Sequence, residues 1–293
     1  MFMPKLYLAK VNLNSKIFSV YENELDINDV LKIIYDRLNT DERCGYSVNA
    51  KHNDSTGNEI SYLRYSYYYF ADLNKSDMKI TGKMIRKYSK FNDKVNEKTG
   101  KVESVLTDES VAIRFYFDIE KEMVTFCERQ CFGYNQFTDG FNELLNKCVK
   151  DYEFQTYLQK DKNRLEEKIK ELYKITKVKA VLIPPNPNGG NVRSIKDNCI
   201  NTNSTKMTWE FESDDMKMDS EEMKEIREYI SAGYGDLTAT GVDFNGKTQR
   251  ISSSQDAAFC IDISENLNDE EFVRESKHFL IKFEEYKNKQ RNV

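Results

Sequence analysis

Histidine is nearly missing from this chain. His52 and His278 are the only two in 293 residues, so imidazole acid–base chemistry and histidine-rich metal sites are poorly supplied. No run approaches the ~18 uninterrupted apolar residues of a membrane span. The first eleven residues hold Pro4, Lys5 and Lys10 between short apolar runs, which is not the apolar core of a signal peptide. These features lead us to expect a cytoplasmic protein. The six cysteines (Cys44, Cys127, Cys131, Cys148, Cys199, Cys260) are scattered, and without an export signal they read as reduced thiols. Cys127 and Cys131 form the one close pair and have no second pair or histidine beside them, so they read as straddling a strand and its exit, not as zinc ligands. There is no GxxxxGK[ST] loop. Gly233-Tyr-Gly235 lacks the third glycine of a dinucleotide fingerprint and follows a helical pattern, which suits a helix C-cap and turn. No catalytic residue, cofactor or metal is therefore assigned.

Proline is scarce as well, and three of the four sit together in Ile183-Pro-Pro-Asn-Pro-Asn-Gly-Gly190. Proline fixes φ and removes a donor, so the strand read over 178–183 must stop there. Gly189, Gly190 and Arg193, with Lys196, could offer donors and counter-charge to a phosphate; a structural turn is the plainer reading.

What is present is globular. Hydrophobic residues make up 39% and aromatics 12%, with a net charge of −5, which excludes both wholesale disorder and a globally basic nucleic-acid coat. Length favours two domains, 1–150 and 151–293. Alternation predicts strands over 5–14, 46–50, 60–71 and 79–89, and a clear hairpin over 110–119 and 122–131. Helical spacing predicts helices over 26–38, capped by Asp26 or Asn28, over 138–150, and over 154–176 as a long charged connector. Further strands are read at 177–183, 205–212, 236–242 with 247–252, and 257–263, and helices at 219–230 and 269–286. The expected class is α+β, with antiparallel sheets, flanking helices and two domains joined by the charged helix.

Charge is unevenly spread. Residues 75–101 hold nine cations and three acids, with Tyr88 and Phe91 interleaved. Mobile cations suit phosphates and aromatics suit unpaired bases, so Lys79, Lys83, Arg86, Lys87, Lys90 and Lys94, with Arg193 and Lys196, are the candidate nucleic-acid contacts. The competing reading is a lysine-guarded strand edge. Residues 210–236 hold ten acids and three bases, a solvated helix face or a surface for a basic partner. Asp214, Asp215, Asp219, Glu221 and Glu222 lack the spacing of a calcium loop and gather near a helix start, where the dipole favours acids.

Three segments in order carry a family likeness: Phe115-Tyr-Phe-Asp-Ile-Glu-Lys-Glu-Met-Val-Thr-Phe-Cys127 with the helix after it, the strand into Pro184-Pro-Asn-Pro187, and the hairpin from Gly233 to Gly246. Over roughly 105–290 the chain resembles the bacterial phage-resistance proteins related to RexA and KwaB. The resemblance implies a two-domain α+β protein that forms a homodimer, binds DNA without strong sequence preference, and works with a membrane or other protein partner. The acidic balance departs from that pattern. The expectation is a non-enzymatic DNA-binding or sensing component of a phage-defence system. The alternatives are a toxin-like effector that binds a protein, or a metal-dependent nuclease.

Overall fold

The computed structural model describes residues 4–53, 57–95, 97–187 and 193–291. In chain order the elements are β1 Lys5–Leu13, α1 Ile17–Tyr21, α2 Ile27–Arg37, β2 Cys44–Asn53, β3 Glu59–Ser76, β4 Lys79–Val95, β5 Val102–Asp118, β6 Met123–Cys127, α3 Tyr134–Cys148 and β7 Phe154–Leu158. They continue with α4 Lys162–Lys170, β8 Leu172–Leu182, α5 Arg193–Thr202, β9 Met207–Glu212, α6 Glu221–Ser231, β10 Gly235–Asp243, β11 Thr248–Ser252, α7 Ser253–Asp256, β12 Cys260–Asp262 and α8 Asp269–Arg291. The class is α+β with antiparallel sheets and flanking helices, as expected. Among the described residues no helix is long and apolar enough to cross a membrane.

The large sheet runs β12-β1-β6-β5-β4-β3-β2, with β7 also on β1. Leu6 and Tyr7 pair with both β12 and β6, and Ala9 and Lys10 with both β6 and β7. So β12 and then β7 share one edge of β1, while β6 holds the other. β1 is buried along almost its whole length because both its faces are covered. Tyr7, Ala9, Val11 and Leu13 join the core beneath α2 and α3. Leu6 and Leu8 pack with Tyr116 and Met123 under Phe272, Phe279 and Phe283 of α8.

The small sheet runs β11-β10-β8-β9. Leu165 and Ile169 of α4 and Met223, Ile226 and Ile230 of α6 pack on its inner residues Val178, Ala180 and Leu237. This unit, residues 162–256, lies in sequence between β7 and β12, and both of those belong to the large sheet. The chain therefore does not divide at 150 into two successive sheets: the small unit is an insertion.

The long helix expected over 154–176 is also absent. Residues 154–158 form a strand on β1, Asp161 caps α4 by accepting from Arg164 N at 3.1 Å, and β8 has begun by Leu172. Phe154 with Leu158, and Leu165 with Ile169, are four apart, and that spacing lies on one face of a helix or of a strand. Backbone pairing with β1 selects the strand for the first pair. α3 begins a turn before the expected Thr138, whose hydroxyl instead donates to Tyr134 O at 3.1 Å. Gln136 accepts from Gly133 N at 3.0 Å and so satisfies a first-turn donor.

Candidate nucleic-acid interface

Directly opposed residues in an antiparallel pair share a face. Tyr67 lies opposite Lys87, Tyr69 opposite Ile85 and Ala71 opposite Lys83. Those β4 residues lie opposite Ser110, Ala112 and Arg114 of β5. On the other side Gly45 and Ser47 of β2 face Tyr67 and Tyr65. One sheet face thus carries Tyr65, Tyr67 and Tyr69 in a row, flanked by small residues and bordered by Lys83, Lys87 and Arg114. It is continuous with the face that α8 covers further in, at Tyr116. The three tyrosines are half-buried and keep part of their rings accessible. The opposite face holds Phe70, Met84 and Ile113, buried in the core beneath α3. Alternation therefore sends apolar side chains one way and tyrosines the other.

The tyrosine rings are held in place. Tyr65 and Tyr67 stack with 5.3 Å between centroids and an interplanar angle of 24°. The Arg43 guanidinium lies 5.3 Å from the Tyr69 ring. Burial, then a hydrogen bond to Asp108, pushes the Tyr65 phenol up to about 12. Asp108 in turn is held below the usual carboxylate range, first by that hydrogen bond and then by Lys87. Gly45 has φ 127°, and a Cβ there would meet Ser66 O at 2.0 Å, so only glycine keeps β2 this close to the tyrosine strand.

The expected site residues separate into three groups. Lys79, Lys83 and Lys87 share the tyrosine face because they are four apart on one strand. Each is matched by an acid: Lys79 with Glu120 at 3.2 Å, Lys83 with Asp72 at 2.7 Å and Lys87 with Asp108 at 3.6 Å. Arg114 is likewise paired, with Asp269 at 2.6 Å.

Arg86, Lys90 and Lys94 fall on the opposite face. Arg86 donates to Ser66 Oγ at 3.1 Å and to Cys131 O, and lies 4.5 Å from the Tyr88 ring. Its role there is packing. Beside it, Glu109 accepts from Tyr88 at 3.1 Å and from Asn92 at 2.6 Å. Lys90 and Lys94 are exposed. The third group is elsewhere in the molecule: Lys196 sits 4.1 Å from the Tyr21 ring, while Gly189, Gly190 and the Arg193 side chain lie outside the described residues. The sequence reading missed Tyr65, Tyr67 and Tyr69 as a unit. Their spacing of two was the available signal.

A cleft of about 510 Å³ adjoins this face through Arg114 and is lined further by Arg129, Glu128, Glu265 and Phe272. Its two arginines face two glutamates, so it offers no net charge of its own.

The proline run is buried structure. Ile183, Pro184, Pro185 and Asn186 are all buried. Asn186 accepts from Leu13 N at 3.0 Å and donates to Val11 O at 3.3 Å, so its amide partners the end of β1 as a neighbouring strand would. Tyr21 and Tyr229 donate to the carbonyls of Pro185 and Ile183.

Among the described residues no group of three or more His, Cys, Asp or Glu is placed to hold a metal. Glu221 and Glu222 occupy the first turn of α6 behind the Ser220 cap, and Glu210 and Glu212 both pair with Lys177. No curated protein matches the chain. The family described as Domain of unknown function (DUF4747) matches residues 50–274, about three-quarters of the sequence and all of the β3–β5 ribbon, and the chain belongs to that family.

Proposed function

We propose that this protein binds single-stranded nucleic acid on the open tyrosine face of its large sheet, as a cytoplasmic, non-enzymatic component of a bacterial phage-defence system. The observation that carries the binding reading is the row Tyr65, Tyr67 and Tyr69 with Lys87 directly opposite Tyr67 and Lys83 opposite Ala71, one same-face position beyond Tyr69. Same-face residues on a strand are about 6.6–6.8 Å apart, twice the ~3.4 Å rise of stacked bases in a duplex. Bases resting on successive tyrosines would come from an extended, unstacked strand. Aromatic rings accept any base, which fits binding without sequence preference. The defence context rests on the resemblance of the 115–127 hairpin, the proline run and the 233–246 hairpin to the RexA- and KwaB-related proteins.

The paired state of the lysines refines the expectation of a basic patch. With Lys79, Lys83 and Lys87 each facing an acid, stacking carries more of the affinity than phosphate neutralisation. Engagement of three phosphates gives a log–log salt slope of only about −2 for a single strand.

Fluorescence anisotropy with a labelled oligonucleotide and its duplex tests the reading. Single strand should bind more tightly than duplex, and Tyr67→Ala should weaken it by about 5- to 150-fold, one base–aromatic stack of ~1–3 kcal/mol. Absence of binding at about 50 mM salt, where phosphate contacts are strongest, would overturn it. Plating of phage on cells with and without the intact protein tests the defence role separately.

A further inference from the structure

Among the described residues, the outer edge of β2 is a long sheet edge with little protection. β2 ends the large sheet, and residues 45–49 are all exposed. Tyr46 is 46% and Val48 48% accessible. Exposed edges are ordinarily guarded by charge, proline, bulges or brevity. β2 is ten residues long, pairs with β3 without a break in register, and contains no proline. Its one charged side chain, Lys51, is bound within its own hairpin to Glu59 at 2.7 Å.

The other sheet ends, and the overhang of β5, are guarded. β5 extends well beyond the short β6, and the stretch that does not pair with β6 carries Glu103, Asp108 and Glu109, with Arg114 at its inner end. β9 carries Glu210 and Glu212, β11 carries Arg250, and β12 is three residues ending at Asp262.

From this contrast we infer that β2 pairs antiparallel with β2 of a second copy of this chain, about a two-fold axis at Val48. The charge pattern selects that occupant. In this register Tyr46 faces Ala50, Ser47 faces Asn49, and Lys51 falls opposite Gly45, so no like charges meet. The same operation on β5 about Leu106 would set Glu103 against Glu109, which is destabilising. In-register parallel pairing of β2 would set Lys51 against Lys51. Antiparallel pairing is isologous and closes at two copies. Its axis is perpendicular to the sheet, so the two tyrosine faces emerge on the same side of one continuous sheet. The pairing does not depend on what that face binds.

Sedimentation velocity on the full chain tests it. The wild type should be a dimer at micromolar concentration. Val48→Lys sets two cations at the axis on an exposed site the monomer tolerates, and should raise the dimer dissociation constant at least about tenfold with far-UV circular dichroism unchanged. Val48→Cys should give an interchain disulfide on oxidation, and Val105→Lys on the β5 edge should leave the dimer intact. A wild type that stays monomeric at about 100 µM overturns the inference. So does a dimer indifferent to Val48→Lys, or one lost on Val105→Lys.

Discussion

Asp108 is the residue that most directly sets how much positive charge the tyrosine face presents. Its carboxylate accepts from Tyr65 and lies 3.6 Å from Lys87, so one acid anchors a platform ring and neutralises a cation. Both contacts favour the ionised carboxylate, which is why it titrates below the usual range. Its contribution is present above that range and is lost as pH falls through the lowered value. Lys87 is then released, so nucleic-acid binding should tighten only at acid pH in the wild type. Asp108→Asn should show that gain already at pH 7, about two- to fivefold, since the exposed pair being removed is weak. Anisotropy titrations of both proteins at pH 7, and of the wild type at acid pH below the usual carboxylate range, check this. A weaker-binding variant would mean that orientation of Tyr65 outweighs the freed lysine.

Alternation decides what the lysine-rich segment can do. In the sequence, residues 79–94 look like one basic stretch. Because β4 is a strand, Lys79, Lys83 and Lys87 go to one face and Arg86, Lys90 and Lys94 to the other. The alternation over 79–89 was legible. The run of strand to Val95 was not, because Lys90, Asn92 and Lys94 carry no apolar pattern and are held by pairing with β5. The same limit explains the misread 154–176 stretch, where a spacing of four fits two structures and only contact with β1 separates them. Charge reversal tests the division. Lys83→Glu with Lys87→Glu should weaken single-strand binding by about tenfold or more, since each loses a cation and adds an anion beside the rings. Lys90→Glu with Lys94→Glu should change it less than about threefold, the reach of a screened charge on the far face. Equal losses from the two pairs would argue against the tyrosine face as the binding surface.

The whole molecule depends on a polar seam that composition did not reveal. The inserted small unit meets the large sheet where β1 turns from apolar to polar. Asn12 donates to Gly233 O at 3.1 Å, Gln159 to Ala232 O at 3.3 Å, and the fully buried Lys160 to Gly235 O at 2.8 Å and Asp236 at 2.7 Å. Lys10 pairs with Glu122 at 2.7 Å, with both side chains under 10% exposed, and its ammonium lies 5.8 Å from the Tyr234 ring of the insert. A lysine in an N-terminal strand and a glutamate in a turn 112 residues later give no sequence cue that they meet. The distance decides the energetics, because a buried charge without its partner is far costlier than a broken surface pair. Glu122→Gln should therefore lower unfolding free energy by about 3–5 kcal/mol. Adding Lys10→Met should restore part of it, because the stranded ammonium is gone. Urea unfolding of the two variants and the wild type measures both steps. If the single substitution costs under about 1 kcal/mol, as for an exposed pair, the seam is wet and the insert is held by its apolar contacts and proline run instead.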